Sequence, residues 1–305
     1  MSALASVRSA PGLASYLEVL ELRLEQATVH PGLVGEIAAE TLTAGGKRLR
    51  PVLVFFATPR ERRHSERTLA AGVAVELVHM ATLVHDDLLD GATHRRGRPT
   101  AWAAHGEDAA RAAGDFLFAR AFSQLAAAAD AAAVSVLANA ALALARGEAL
   151  QRRQAYRPDT SVEAYLARCS LKTGKLFEAA CLLGGRRPEL GAFGLALGVA
   201  FQIADDILDC VGTLGETGKA PGVDLRDGTP TLPLILAARR DASVCRALEG
   251  EPVDDALARV VATGALDDAR ELAFAYARRA LAALDGEPDR ASLEALTRAV
   301  VDRDS

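Results

Sequence analysis

The sequence predicts an all-α protein that folds as one large helical bundle over residues 1–305. Half of the residues are hydrophobic, 25% are charged and only 5% are aromatic, and alanine is abundant. Alanine, leucine, arginine and glutamate have the highest helix propensities. Alternating runs of Val, Ile, Thr and aromatic residues, which are typical of strands, are scarce. Because no shift in composition marks a linker, we expect a single domain with little or no sheet.

The overall charge and the cysteines argue against several classes of protein. The formal net charge is −5, whereas a nucleic-acid-binding protein usually has a basic excess. The four cysteines form no CxxC pair and are typical of buried thiols in a reducing compartment; they are Cys169, Cys181, Cys210 and Cys245. No signal peptide is visible, and Asp130 interrupts the most apolar stretch, residues 125–145. We therefore expect a cytoplasmic protein without a membrane span.

Glycine and proline separate the first predicted helices. Leucine spacing predicts one helix over residues 13–26, and a second covers residues 35–42. Gly45 and Gly46 then make a bend, and Pro51 suits the first position of a third helix.

Two cations, Lys47 and Arg50, stand just before the predicted start of that third helix. A helix N terminus favours anions through its free N–H groups and its dipole. Taken alone, such a basic turn is usually solvated, and an anion site is the alternative.

The next predicted helix, residues 66–89, ends in a cluster of carboxylates. Helical spacing puts Asp86 and Asp90 on one face, with Asp87 to the side and His79 two turns before Asp86. Like charges this close repel one another, so the cluster is either a solvated helix end or a cation site. Oxygen donors without cysteine favour Mg²⁺ over zinc. Arg95 and Arg96 follow closely and would face an anion, such as a diphosphate, that the metal carries.

Further helices are predicted between this cluster and the C terminus. One helix starts at Gly114, and another covers residues 126–154. A third begins after a cap at Thr160 or Ser161 and is interrupted at residues 172–175. The next helix follows a loop at residues 184–188. Residues 256–301 have the apolar spacing of two or three helices.

The aspartate pattern recurs in the second half of the chain. Asp205, Asp206 and Asp209 repeat the first spacing 119 positions later (205 minus 86), and a glycine-rich loop with Lys219 follows them. Two such clusters facing each other across a bundle could hold Mg²⁺ ions around one diphosphate. The chemistry that this arrangement predicts is ionisation of a C–O bond, with the metal and the cations stabilising the departing diphosphate.

Longer segments around these residues resemble a known family. The segments are GGKRLRP (45–51), HDDLLD (85–90), RRGRPT (95–100), GDFLFARAF (114–122), KTGKLFEAA (172–180), FQIADDILD (201–209) and DLRDGTPTLPL (224–234). With them the chain resembles the trans-isoprenyl diphosphate synthases of the polyprenyl synthetase family over nearly its whole length. The resemblance implies an isoprenoid synthase-like bundle around a central substrate cavity. It also implies condensation of isopentenyl diphosphate with an allylic diphosphate.

The resemblance further implies a role for each matched residue. Three Mg²⁺ ions on the allylic diphosphate would be held by Asp86, Asp90 and Asp205, supported by Asp87, Asp206 and Asp209. The same diphosphate would contact Arg95, Lys172 and Lys219. Isopentenyl diphosphate would be bound by Lys47, Arg50, His79 and Arg96. Oxygens near the carbocation would come from Thr173 and Gln202, with Phe201 in the same wall.

Two positions depart from the pattern of the family. Thr229 stands where the family often has a second lysine in the loop, so one phosphate contact is absent or the loop closes differently. Gly174 stands where many long-chain members carry alanine.

Helix geometry bears on the length of the product. Thr82, Val78 and Val75 lie below Asp86 on one helix face, with Ala81 beside them, and none is aromatic. Each helical turn rises about 5.4 Å, so this column extends roughly 16 Å below the carboxylate. Short-chain members often place Phe or Tyr here, so we expect a medium- or long-chain product. A geranylgeranyl or farnesyl diphosphate synthase is the alternative, with Phe116 or Phe118 as the plug.

Two alternatives come from other classes of protein. A class I terpene cyclase also uses an aspartate-rich helix, but its second metal motif is of a different type. A non-catalytic subunit of a heteromeric synthase would typically lose an acidic motif, whereas both are intact here. The resemblance implies a homodimer, with at most a weak membrane contact for product release.

Overall fold

The structure, a computed structural model, describes residues 7–211 and 221–301. It is almost entirely helical, which confirms the predicted all-α class. In chain order, the helices of the described residues are α1 (Leu13–Thr28), α2 (Leu33–Thr43), α3 (Leu49–Ala57), α4 (Glu66–Leu89), α5 (Ala101–His105), α6 (Glu107–Ala127), α7 (Ala131–Gln154), α8 (Val162–Cys169), α9 (Lys175–Gly185), α10 (Pro188–Val211), α11 (Val223–Arg226), α12 (Leu232–Ala238), α13 (Ala242–Leu248), α14 (Ala256–Ala262), α15 (Ala265–Ala282) and α16 (Arg290–Val301). A 3₁₀ turn covers Arg60–Arg62, and β1 (His94–Arg95) pairs antiparallel with β2 (Arg98–Pro99).

Most predicted helices are present, and one difference concerns the start of α3. This helix begins at Leu49, two residues before Pro51, because Arg48 takes a left-handed conformation with φ 52° immediately before it. Arg50 therefore lies in the first turn of α3, and Lys47 precedes the helix. The prediction for α4 is confirmed at both ends, and Ser65 caps it by accepting a hydrogen bond from Thr68 N at 3.3 Å.

Close approaches between helices explain two further differences. Gly114 lies in the middle of α6 and does not begin it, and a Cβ there would come within 2.2 Å of His85 Nε2. Glycine thus lets α6 pack tightly against the end of α4. The predicted interruption at residues 172–175 is a π-helical turn, Ser170–Gly174, between α8 and α9. It packs on α7 at Gly147, where a Cβ would lie 2.6 Å from Lys172 N.

Two apolar cores are filled by these helices, and α10 contributes to both. The first core includes the buried side chains Tyr16, Phe55, Leu77, Leu117, Phe177 and Leu197. The second includes Tyr165, Ile203, Ile207, Leu234, Val244 and Ala269. Gly198 of α10 lies so close to the π-helical turn that a Cβ would be 2.7 Å from Gly174 Cα. This contact brings Thr173 of the π-helical turn within hydrogen-bond distance of Gln202 of α10.

By length and composition alone, three helices among the described residues are apolar enough to cross a membrane: α4, α7 and α10. The sequence analysis had expected none and had singled out only residues 125–145. Within the protein, 72% of the apolar window of α4 and of α10 is buried, but only 33% of that of α7. The bundle interior thus accounts for the apolar character of α4 and α10, and α7 has an apolar face outside it.

Candidate active site

One cavity of about 1440 Å³ gathers most of the predicted site residues. Its wall combines the start of α3, one face of α4, the β1–β2 hairpin, the end of α10 and the segment that begins at Pro221. It includes Lys47, Arg50, His79, Asp87, Asp90, Arg95, Arg96, Phe201, Gln202, Asp205, Asp206 and Asp209. Asp86, Lys172 and Thr173 are not among the lining residues, although Lys172 and Thr173 contact residues that are. Lys219 lies outside the described residues.

Asp87, the middle carboxylate of the first motif, is committed to Arg95. Asp87 is 5% exposed, and its two oxygens accept hydrogen bonds from Arg95 Nε at 2.9 and 2.8 Å. Arg95 Nη2 lies 2.8 Å from Asp87 Oδ1. Although burial opposes the effect, this pairing raises the pKa of Arg95. Asp87 thus anchors the hairpin to the end of α4 and holds a guanidinium at the cavity wall.

The two outer carboxylates of the first motif face cations. Lys172 Nζ lies 3.9 Å from Asp86 Oδ1, and Arg152 Nη2 donates to Asp90 Oδ1 at 2.9 Å. Glu148 of α7 contacts both cations, with Lys172 Nζ 2.6 Å from Oε2 and Arg152 Nε 3.0 Å from Oε1. Burial would raise the pKa of Glu148, but the two cations lower it below its ordinary value. The cluster therefore alternates in charge, which offsets repulsion among the aspartates.

Asp86 remains poorly compensated in spite of Lys172. Burial raises its pKa to about 6, Glu148 and Asp90 add to the increase, and Lys172 and Arg95 oppose it. A carboxyl whose pKa is raised in this way lacks sufficient positive charge around its oxygens. A divalent cation would supply that charge.

The middle carboxylate of the second motif, Asp206, is also held by protein donors. Tyr165 OH donates to Asp206 Oδ2 at 2.6 Å, and Gln202 Nε2 donates to Oδ1 at 2.8 Å. Thr173 Oγ1 in turn donates to Gln202 Oε1 at 2.6 Å. Burial raises the pKa of Asp206 to about 7, and these hydrogen bonds oppose the increase. Asp206 therefore fixes Gln202 and Thr173, the two residues that we expect near the carbocation.

Asp209, the last carboxylate of the second motif, organises the segment after Pro221. Its oxygens accept hydrogen bonds from Val223 N at 3.2 Å and Asp224 N at 3.0 Å, at the start of α11. The Asp224 carboxyl is thereby brought near the motif. Burial and the charges of Asp206 and Asp209 raise its pKa well above the ordinary value. Asp224 adds a carboxylate to this wall that the sequence analysis did not identify.

A basic part of the wall lies at the start of α3. Arg50 is 9% exposed, and its guanidinium stacks 4.9 Å from the centroid of the Phe177 ring. Burial lowers the pKa of Arg50 to about 10, which the charge of Glu76 opposes. Its Nε atom has no hydrogen-bond partner among the described residues. A buried cation with an unsatisfied donor on a cavity wall is suited to bind an anion.

The hairpin completes this basic region. Arg96 donates a hydrogen bond to the Gly45 carbonyl, which ties the hairpin to the bend before α3. Burial and the charges of Arg50, Arg95 and Arg96 hold the pKa of His79 well below its ordinary value. His79 is therefore a neutral imidazole among arginines at pH 7.

The carboxylates of α4 and α10 have the donor chemistry that Mg²⁺ prefers. Within residues 7–211 and 221–301, no three His, Cys, Asp or Glu side chains converge into a preformed metal cage. Mg²⁺ is usually bound by one or two carboxylates, with water and substrate phosphate oxygens completing its coordination. Asp86, Asp90 and Asp205, as separate oxygen donors, fit that mode of binding.

Comparison with known proteins decides the family. The family model described as "Polyprenyl synthetase" matches residues 32–257. This chain belongs to the polyprenyl synthetase family. It is 41% identical to heptaprenyl diphosphate synthase component 2 of Geobacillus stearothermophilus, over 90% of this chain and 91% of that protein. It is 36% identical to the nonaprenyl diphosphate synthase of Mycobacterium tuberculosis, over 98% and 94% of the two chains. The polyprenyl synthase of Caulobacter crescentus, whose crystal structure contains calcium and isoprenyl diphosphate, superposes with a TM-score of 0.92 and 33% identity, covering 99% of this chain and 98% of that one.

In this member of the polyprenyl synthetase family, the column proposed to set product length is mostly closed. Three of its side chains, Val75, Val78 and Ala81, are 0% exposed. Thr82 is half-buried, and its hydroxyl donates to His79 O at 2.7 Å. None of the four lines the cavity. Thr82 is therefore the only one of these four side chains that is not fully buried.

The two phenylalanines considered as plugs occupy different environments. Phe118 stacks on His85, with ring centroids 5.8 Å apart, at the level of the first motif. Phe116 instead contacts His30 at 5.1 Å between centroids, toward α1 and α2. Phe118 is therefore the better placed of the two to border a chain that passes α4.

Several site residues of this polyprenyl synthetase escaped the sequence analysis: Glu148, Gln151, Arg152, Tyr165, Arg168 and Asp224. Glu148 and Arg152 were detectable, because they are charges at the end of an alanine-rich helix. Tyr165 had no local signal, because its partner is 41 residues away in sequence.

We expect Asp86→Asn to stabilise the metal-free protein at alkaline pH. The folded pKa of about 6 exceeds the ordinary value, so folding is favoured by protonation, and ionisation of Asp86 costs stability as the pH rises from about 4 through 6. Asparagine removes that cost, which is on the order of 1–3 kcal/mol at pH 8. Urea unfolding in EDTA at pH 8 and pH 4.5 measures it.

The gain should be much smaller at pH 4.5, where wild-type Asp86 is largely protonated. Asp254→Asn, at an exposed position, serves as the matched control and should change stability little at either pH. A gain of equal size at both pH values would contradict the assignment of the shifted pKa to Asp86.

Proposed function

We propose that this protein is a prenyltransferase that condenses isopentenyl diphosphate with an allylic diphosphate, head to tail and in the trans configuration. The products are a medium- or long-chain polyprenyl diphosphate and diphosphate. The observation that carries the proposal is one cavity that combines aspartates of both motifs with an arginine-rich wall, in a polyprenyl synthetase chain. The names of the similar proteins, heptaprenyl and nonaprenyl diphosphate synthase, support the proposed length class.

The aspartate side of the cavity would bind the allylic substrate. Asp86, Asp90 and Asp205 would hold Mg²⁺, and we propose three ions. Bound Mg²⁺ would neutralise charge on the departing diphosphate. Arg95 is held at the wall by Asp87, and Lys172 by Glu148, so both cations are positioned before substrate arrives. Such preorganised charges stabilise a leaving anion without reorganisation during the reaction. Lys219 is proposed to join them.

The basic side would bind isopentenyl diphosphate through Lys47, Arg50 and Arg96. The unsatisfied Nε of Arg50 gives that guanidinium a donor for a phosphate oxygen. His79 is neutral, so it adds hydrogen-bonding capacity without further repulsion among the arginines. Keeping the two diphosphates on separate cation sets would hold the nucleophilic double bond beside the allylic carbon.

Thr173 and Gln202 would stabilise the carbocation after ionisation. Their side chains are linked by a 2.6 Å hydrogen bond, and Asp206 orients Gln202 from behind. The hydroxyl and amide oxygens carry partial negative charge, which favours a nearby cation without forming a bond to it. We assign no protein base, since the released diphosphate is the proposed proton acceptor.

The proposal is tested by incubating the purified protein with isopentenyl diphosphate, Mg²⁺ and each allylic primer in turn. We expect prenols of increasing length after dephosphorylation, and none when EDTA replaces Mg²⁺. A hydrocarbon formed without isopentenyl diphosphate would instead identify a terpene cyclase. Absence of product with every primer would contradict the proposal for the chain acting alone.

A two-component enzyme is a second candidate, favoured by the word "component" in the name of the Geobacillus relative. In that case the chain would carry the catalytic residues and depend on a different polypeptide for turnover. Full activity of the purified chain alone would exclude this arrangement.

We expect Thr82→Phe to shorten the product. Thr82 is the half-buried member of the column below Asp86, so a ring there would block chain growth at about one helical turn. The product distribution is measured by chromatography of dephosphorylated prenols, with Thr82→Ser as the control that keeps the hydroxyl. An unchanged distribution for Thr82→Phe would refute the proposed path of the chain.

We propose that the apolar face of α7 packs against a second copy of the chain. Only 33% of its apolar window is buried within one chain, and Leu142 is 60% exposed. Burying such a face in a dimer is favourable by about 25 cal/mol per Å² of apolar surface. Light scattering should give twice the chain mass of 32.0 kDa.

Leu142→Glu should shift that mass toward the monomer, because it places a charge in the interface. Val261→Glu, at a 47% exposed position of α14, is the control and should leave the mass unchanged. A wild-type protein that is monomeric at micromolar concentration would contradict the proposal.

We also propose the cellular location of the enzyme and the partners that it does not bind. The buried thiols of Cys169, Cys181 and Cys210 and the net charge of −5 support a cytoplasmic protein with no nucleic-acid partner. A long prenyl product is apolar, so weak contact with a membrane surface would assist its release.

A further inference from the structure

Arg168 is a buried cation that lies behind the second aspartate motif. It belongs to α8, one turn before Lys172, and is 3% exposed. It does not line the cavity, so a direct contact with substrate is not its function in this structure. A buried guanidinium is costly unless its charge and its donors are matched, so its partners indicate its purpose.

The donors of Arg168 join three separate segments of the chain. Nη1 donates to Gln154 Oε1 at 2.7 Å, at the end of α7, and Nη2 donates to Pro230 O at 2.8 Å. Tyr156 N donates to Gly228 O at 2.7 Å in the same region. Arg168 therefore fixes residues 228–230, which follow α11, against α7 and α8.

The charge of Arg168 is directed at the carboxylates of the second motif. Its guanidinium lies over the Tyr165 ring, 5.4 Å from the centroid, and Tyr165 OH donates to Asp206. Pro230, whose carbonyl accepts from Arg168, follows Thr229, and Thr229 N donates to Asp224 O at 2.8 Å. Asp224 N in turn donates to Asp209 Oδ2 at 3.0 Å, so Arg168 contacts the segments that hold both Asp206 and Asp224. A fixed cation reduces the repulsion that this cluster would otherwise experience.

We propose that Arg168 is a positioning residue, the internal counter-ion that holds Asp206 and Asp224 together and pins the segment after α11 in place for the Mg²⁺-diphosphate complex. The proposal rests on the proposed function and adds to it a residue outside the substrate cavity. Arg168 would act through both its two hydrogen bonds and its positive charge. A substitution that keeps the charge should therefore have a smaller effect than one that keeps only a hydrogen-bond donor.

Thr229 gives the proposal a second, independent test. It precedes Pro230, is 9% exposed and lines the cavity near the second motif. Thr229 stands where the family that the chain resembles often has a lysine, so the loop lacks that positive charge here. A lysine introduced at position 229 would deliver a replacement charge from the loop.

The first experiment compares Arg168→Lys with Arg168→Gln. Both side chains keep an N–H donor, but only lysine keeps the charge. We expect Arg168→Gln to raise KM for the allylic diphosphate roughly tenfold or more, and Arg168→Lys to stay within about threefold of wild type. We expect kcat to change less than KM, because Arg168 does not contact the reacting atoms. Equal effects of the two substitutions would overturn the counter-ion assignment.

The second experiment uses binding and does not depend on turnover. The rise in Tm on adding Mg²⁺ and inorganic diphosphate is measured for each variant against its own ligand-free Tm, which removes any general loss of stability. We expect the rise to be smaller for Arg168→Gln than for wild type, and to be largely restored in the double variant Arg168→Gln/Thr229→Lys.

The two readouts separate the proposals. A wild-type chain that forms no prenyl product, but whose Tm rises with Mg²⁺ and diphosphate, would contradict the proposed function. The role of Arg168 as a counter-ion would then be tested by the Tm rise alone. A full Tm rise for Arg168→Gln, or no recovery on adding Thr229→Lys, would overturn the inference about Arg168.

Discussion

The structure depends on gathering carboxylates in one cavity while offsetting their repulsion. The middle aspartate of each motif is bound on both oxygens by protein donors: Asp87 by Arg95, and Asp206 by Tyr165 and Gln202. These aspartates anchor their helices to the surrounding structure. Asp209 is likewise bound on both oxygens, by the backbone N–H groups of Val223 and Asp224. Asp86 is poorly compensated, since burial raises its pKa in spite of Lys172 and Arg95, and a divalent cation there would relieve the cost that folding imposes.

The helical packing makes this arrangement possible. Glycines at three contacts, Gly114, Gly147 and Gly198, let helices approach closely enough for a π-helical turn to bring Lys172 beside Asp86. The Cβ of an alanine at position 147 would clash with the backbone of Lys172. The position of Lys172 therefore depends on the close contact between α7 and the π-helical turn. Glu148, the next residue, then pairs with Lys172 and Arg152. One turn of α7 thereby sets both the separation of the helices and the charge next to the first motif.

Features that depend on spacing along the chain could be predicted from the sequence, whereas contacts between distant segments could not. The limits of α4 and the all-α class follow from spacing and composition along the chain, and both were confirmed. The start of α3 was wrong by two residues because Arg48 adopts a left-handed backbone conformation, which the position of Pro51 did not reveal. The roles of Tyr165 and Arg168 could not be predicted, since each depends on which helices face one another, as in the pairing of Tyr165 with Asp206. Apolar composition also could not separate a helix buried in the bundle from one that spans a membrane, as α4 and α10 illustrate.

The closed packing below Asp86 constrains how a long product could be accommodated. Val75, Val78 and Ala81 are fully buried, so a growing chain that follows α4 must separate them from their neighbours. Because these side chains are small and aliphatic, separating them exposes less apolar surface than moving an aromatic ring would. The prenyl chain then fills the space and restores apolar contacts, which offsets much of that cost. Product length would consequently be set by the first contact along this path that is too large to move, and not by the volume of a preformed tunnel.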